Sequence, residues 1–174
     1  LSIYGPFEWI QIRWGIVILI SLISILPLLS ILLYRFARPG LYRRERNWFS
    51  TVLFVTTSVI PLAIFFLWVY GIPYLIKFSL HLGTPEGVYV RYDATSLLSL
   101  GLGISWVLVV WSLSVIILSL TRIFGMIKNG KTRFRNRMLA ISTGTLILTL
   151  PIEFEGIKII IALSVALSAD YFSR

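Results

Sequence analysis

The sequence has 174 residues, of which 57% are hydrophobic and 13% charged, and its net charge is +9. Soluble globular domains usually carry about a quarter charged residues, so this composition excludes that class and points to a chain buried in lipid. With no cysteine and one histidine, His81, disulfides, thiol chemistry and an ordinary zinc site are excluded as well.

Five uncharged stretches carry the excess of apolar residues: 15–34, 47–76, 94–121, 138–152 and 159–169. The first three are long enough as helices to cross a hydrocarbon core of about 30 Å, which takes roughly 20 residues. None alternates apolar with polar residues as the strands of a membrane barrel do. The reading is an all-α polytopic membrane protein, a single domain over 1–174 with spans at about 12–36, 48–77, 94–122, 137–152 and 157–172. Loops at 37–47 and 123–136 join them on one side.

The first span contains Pro27, and the second Pro61 and Pro73. Each proline removes a backbone hydrogen bond, so kinks are expected there and a curved or cup-like wall follows. After the first span come Arg35, Arg38, Arg43, Arg44 and Arg46; after the third come Arg122, Lys128, Lys131, Arg133, Arg135 and Arg137. Basic residues concentrated in loops mark the cytoplasmic side, which accounts for the net charge without nucleic acid. This order starts outside and leaves Arg174 in the cytoplasm. An outside start without methionine or a signal-peptide pattern leads us to expect a further helix upstream of Leu1.

The third span carries small residues at Gly101, Gly103, Ser105, Ser112 and Ser114, a pattern that favours close helix packing. The last two stretches are too short for an ordinary bilayer. They form either a re-entrant hairpin or crossings of a locally thinned membrane, and thinning is preferred. Pro151 and the turn containing Glu153 and Glu155 divide them. These two carboxylates read as solvated caps rather than a catalytic pair.

The motifs narrow the reading. Pro27 followed by Pro39-Gly40-Leu41-Tyr42-Arg43-Arg44-Glu45-Arg46 resembles the TatC signature, in which a proline-containing second helix runs into a Pro-Gly-Leu-Tyr-x-x-Glu-Arg cytoplasmic loop. Gly5-Pro6-Phe7-Glu8 is similar to the family's first external loop. Thr84-Pro85-Glu86-Gly87-Val88 and Asp93-Ala94-Thr95-Ser96 resemble its second external loop and the start of helix four. On this resemblance the five spans match TatC helices two to six.

The resemblance implies a receptor and core component of the twin-arginine translocation system. Such a protein binds the twin-arginine signal peptides of folded precursors and performs no covalent chemistry, so it is not an enzyme and needs no cofactor. Its implied partners are those peptides, single-span TatA and TatB subunits, further copies of itself and the lipid bilayer. The implied location is a multi-pass position in a prokaryotic plasma membrane, with an organellar inner membrane as the alternative.

Residue for residue, Glu45 falls on the loop glutamate that helps recognise the arginine pair, with Pro39, Leu41, Tyr42 and Arg46 shaping the site. A carboxylate takes a guanidinium in bidentate fashion, which fits that role. The competing reading is that Glu45 neutralises Arg43, Arg44 or Arg46, and these arginines would repel a dicationic ligand unless phosphates or acids screen them. Pro6, Glu8, Pro85, Glu86 and Asp93 are expected on the external side, in contact with partners. Two departures stand out. The family's second acidic contributor precedes its first helix, outside this sequence. Its helix-four glutamate is replaced in Trp111-Ser112-Leu113-Ser114, where Ser112 and Ser114 are weaker polar substitutes. Other readings are a divergent structural subunit without receptor activity and a small-molecule or ion transporter; the latter predicts an intramembrane charge or an internal repeat, and neither is evident.

Overall fold

The computed structural model describes residues 6–81, 94–125 and 133–173. Among these residues every regular element is helical. Helix α1 runs from Pro6 to Ala37 and is assigned as continuous through Pro27. Pro39, which has no N–H to donate and disfavours helical backbone in the residue before it, ends the helix. The chain tightens into a 3-10 turn at Arg38–Gly40 and starts again as α2, Arg43–Phe54. The predicted loop at 37–47 thus shrinks, because helix extends into it from both sides and leaves only Leu41 and Tyr42 outside.

Helices α2, α3 (Ile60–Phe66) and α4 (Ile72–His81) form one rod interrupted by two π-helical turns, Val55–Val59 and Leu67–Gly71. The cause is visible in the sequence. Pro61 and Pro73 stand at the second residue of α3 and α4, and a proline ring cannot share space with the carbonyl four residues before it. The ladder therefore widens just upstream: the Ile60 N–H reaches back five residues to the Val55 carbonyl, and the Ile72 N–H to that of Leu67.

Helix α5, Ala94–Ile123, is the hub, packing against α1, α2, α3, α6 (Arg133–Thr149) and α7 (Lys158–Phe172). Three helical stretches are long and apolar enough to cross a membrane: Trp9–Gly40, Arg43–Phe78 and Thr95–Ile123. Half of the most apolar window of the last is buried in protein, against 17% and 22% for the first two. Helices α1 and α2 to α4 therefore offer most of their surface outward. Ile18, Leu28, Leu62, Phe65 and Tyr70 are exposed on it, as suits contact with lipid chains. The core gathers Leu19, Ile60, Ile64, Leu102, Trp106 and Leu146 around α5.

Small residues let the helices approach. A Cβ on Gly101 would stand 2.5 Å from Ile72 Cδ1, and one on Gly15 would stand 2.6 Å from Leu102 Cδ2. At Gly103 it would run into the Phe154 ring and lie 3.0 Å from Pro151 Cδ, two rigid groups at the α6–α7 turn. Gly103→Ala is accordingly expected to destabilise the protein by about 1–3 kcal/mol. Gly144→Ala, whose new methyl meets nothing within 4 Å, should be neutral or gain about 0.5–1 kcal/mol from helix propensity. Thermal unfolding of the two variants in the same micelle compares them directly.

Candidate functional site

The basic end of the bundle is built on a small apolar cluster. Ala37 from α1, Phe49 and Leu53 from α2, and Ile116 from α5 are buried together, with Leu33, Leu41 and Ile123 partly buried around them. Phe49 is fully buried, and Leu41 turns inward against this cluster, so the two-residue connection is anchored from below. Tyr42, by contrast, is 81% exposed. Nearby, the Phe36 and Phe124 rings meet at 5.9 Å between centroids, joining the last turn of α1 to the residue that follows α5.

Glu45 occupies the third position of α2 and bends back to accept the Tyr42 N–H at 3.2 Å. One otherwise orphaned donor of the helix start is satisfied in this way, and a carboxylate in the first turn also suits the helix dipole. The side chain is exposed and makes no ion pair with Arg43, Arg44 or Arg46; Arg122–Asp170 is the ion pair found among the described residues. Pro39, Leu41, Tyr42, Glu45 and Arg46 lie together at this end. Pro6 and Glu8 fall in the first turn of α1, at its other end, while Pro85, Glu86 and Asp93 lie outside the described residues.

Along α5 the serines divide their work. Ser112 is fully buried and its hydroxyl donates to the Val109 carbonyl of its own helix at 2.8 Å. Ser114 donates to the Val110 carbonyl at 2.7 Å and meets the Ser142 hydroxyl of α6 at 2.8 Å. Of the two expected polar substitutes, only Ser114 therefore reaches another helix. It lies on the wall of a mostly apolar cavity of about 180 Å³ between α5 and α6, with Leu113, Ile117, Met138 and Ile141 beside Ser142 and Thr145. Trp68 donates its indole N–H to Ser105 at 3.1 Å, and Trp111 donates to Ser168 at 3.1 Å, tying α5 to its neighbours on both sides.

Two polar ties hold the α6–α7 hairpin to opposite ends of α5. At the start of α5, the Ser99 hydroxyl donates to Glu153. Glu153 is exposed and, rather than capping a helix start, serves as a tether. At the far end, Arg122 donates to the Asp170 carboxylate at 2.6 Å and to the Asp170 carbonyl at 3.2 Å. Asp170 is buried, and its pairing is not legible from the basic cluster to which Arg122 belongs in sequence. An acid near the end of an apolar helix was the available signal.

Against this geometry, comparison with known families is decisive: a family model described as Sec-independent protein translocase protein (TatC) matches residues 1–152. The chain belongs to the TatC family. No curated protein and no solved structure matched it. The TatC match takes in α1 to α6 and the Pro-Gly-Leu-Tyr connection with Glu45, whereas α7 and Asp170 lie beyond it. A TatC-family chain with three long apolar helices is an integral, multi-pass membrane protein and a component of a protein translocase.

Proposed function

We propose that this chain is a receptor and core component of the twin-arginine translocation system, and that it binds the signal peptide at the end of the bundle bearing Glu45. The observation that carries the reading is the Glu45 carboxylate, exposed and without an ion-pair partner although three arginines adjoin it in sequence. A guanidinium of the peptide would supply the charge-assisted partner that the chain itself withholds. Pro39, Leu41 and Tyr42 frame this position, and the half-buried Arg46 supports it. In this reading no covalent step and no cofactor are involved.

The arrangement we favour has five crossings, with both basic connections and Arg174 in the cytoplasm of a prokaryotic cell. The ties Ser99–Glu153 and Arg122–Asp170 support full crossings by the short helices α6 and α7, because they hold that hairpin at both ends of α5. A re-entrant hairpin would be held at one end alone. TatA- and TatB-type subunits and further copies of the chain are the partners. Ser114, Ser142 and Thr145, on the wall of the α5–α6 cavity, are the polar groups nearest a span docked there.

Photocrosslinking from position 42 of the intact protein to a twin-arginine precursor tests the receptor role. Labelling should fall sharply when the precursor carries Lys-Lys instead, since lysine cannot form the bidentate pair. Equal labelling of both precursors would count against the reading.

A further inference from the structure

Arg35, Arg38, Arg43 and Arg44 are all exposed, and none forms an ion pair within the described residues. They are not scattered over separate mobile segments. The Phe36–Phe124 contact and the cluster of Ala37, Leu41, Phe49 and Ile116 lock the end of α1, the start of α2 and the end of α5 into one platform that carries these charges. On the same last turns of α1, Ile31, Leu32 and Phe36 are exposed apolar side chains, so the arginines begin where the lipid-facing surface stops. In a membrane-spanning helix such a boundary falls at the headgroups, a zone that the exposed Tyr42 and Trp48 also favour.

Guanidinium forks match phosphate oxygens, and each cation at an anionic leaflet gains from the surface potential. Arg43 and Arg44 gain further, since they stand in the first turn of α2, where the helix dipole disfavours cations and a phosphate counter-charge relieves the cost. We propose that this platform binds the headgroup phosphates of anionic phospholipids, and that the bound lipid neutralises the arginines around Glu45. The second half rests on the receptor reading and explains how a dicationic motif approaches a carboxylate set among cations. The first half stands without it.

An acidic protein or nucleic acid would also offer negative charge. It would have to reach cations seated at the rim of a lipid-facing surface, where phospholipid headgroups already lie. The lipid is therefore the occupant the geometry favours.

The intact protein, stripped in a maltoside detergent and returned to nanodiscs of phosphatidylcholine with phosphatidylglycerol, provides the test. Native mass spectrometry should find phosphatidylglycerol retained in preference to phosphatidylcholine. Replacing Arg35, Arg38, Arg43 and Arg44 by Gln should remove that preference, and undiminished retention by this variant would overturn the lipid site. Inorganic phosphate added as a competitor should displace nothing; displacement would mean a free-anion site and would also overturn it.

Affinity for a twin-arginine peptide probes the screening. In maltoside, Arg43→Gln with Arg44→Gln should tighten binding about three- to tenfold, as expected for unscreened charges on the order of 10 Å apart. In phosphatidylglycerol nanodiscs that gain should vanish, and the same gain in both media would refute screening. A protein that retains phosphatidylglycerol selectively yet binds no peptide in any medium would refute the receptor reading while supporting the lipid site.

Discussion

Asp170→Ala should lower the thermal midpoint of the protein by about 6–12 °C, the equivalent of about 3 kcal/mol in a chain of this size. The side chains of Arg122 and Asp170 are 24% and 12% exposed, and their contact at 2.6 Å links α5 to the last turn of α7. Removing the acid strands a guanidinium in a site that was closed around a carboxylate. Breaking a buried pair typically costs about 3–5 kcal/mol; Arg122 sits near a helix end and can turn partly toward headgroups, which places the loss at the low end. The double variant Arg122→Met with Asp170→Leu should recover most of the midpoint, because an apolar pair of similar volume has no charge to strand. If Asp170→Ala melts with the wild-type protein, the pair contributes nothing to holding α7.

That pair also shows where reading the sequence stops. The long helices were legible because uncharged runs of this length have few other uses, and the break after Ala37 because Pro39-Gly40 can scarcely continue a helix. The three prolines looked alike in sequence, each expected to kink its helix. In the structure Pro61 and Pro73 follow π turns, whereas Pro27 lies inside the continuous α1. Arg122 was readable as one more topology-setting cation, because its partner is 48 positions away on an element brought alongside only by folding. Glu153 was legible as a solvated turn residue but not as the acceptor for Ser99, for the same reason.

The small residues of α5 were legible in kind rather than in detail. Close packing follows from size alone, and Gly101 and Gly103 meet neighbours that would collide with any side chain. Which hydroxyl serves a neighbour does not follow from size. Ser105 receives the Trp68 indole, Ser114 meets Ser142, and Ser112 turns to its own helix; each outcome depends on which helix lies opposite. Glu45 stood out in the sequence only through its place in the TatC-like motif; its bond to the Tyr42 N–H, three residues back, is what the structure adds.

This local geometry makes Glu45→Gln an informative change. A glutamine at that position still accepts the Tyr42 N–H, so the helix start is kept and only the charge is lost. Affinity for a twin-arginine peptide should fall about tenfold, the low end of a charge-assisted hydrogen bond, since Glu45 is solvent-exposed. Export of a folded twin-arginine reporter by the full-length protein should fall with it while membrane insertion is unaffected. A comparison within the cluster beneath separates position from stability. Phe49→Ala opens a cavity one helical turn from Glu45, and Leu53→Ala opens one a turn further on in the same cluster. Both should lower the melting midpoint, but only Phe49→Ala should also weaken peptide binding, with Phe49→Leu restoring most of it. Equal binding losses for Phe49→Ala and Leu53→Ala would mean that the cluster stabilises the bundle without orienting Glu45. Unchanged export by Glu45→Gln would remove the carboxylate from the recognition step altogether.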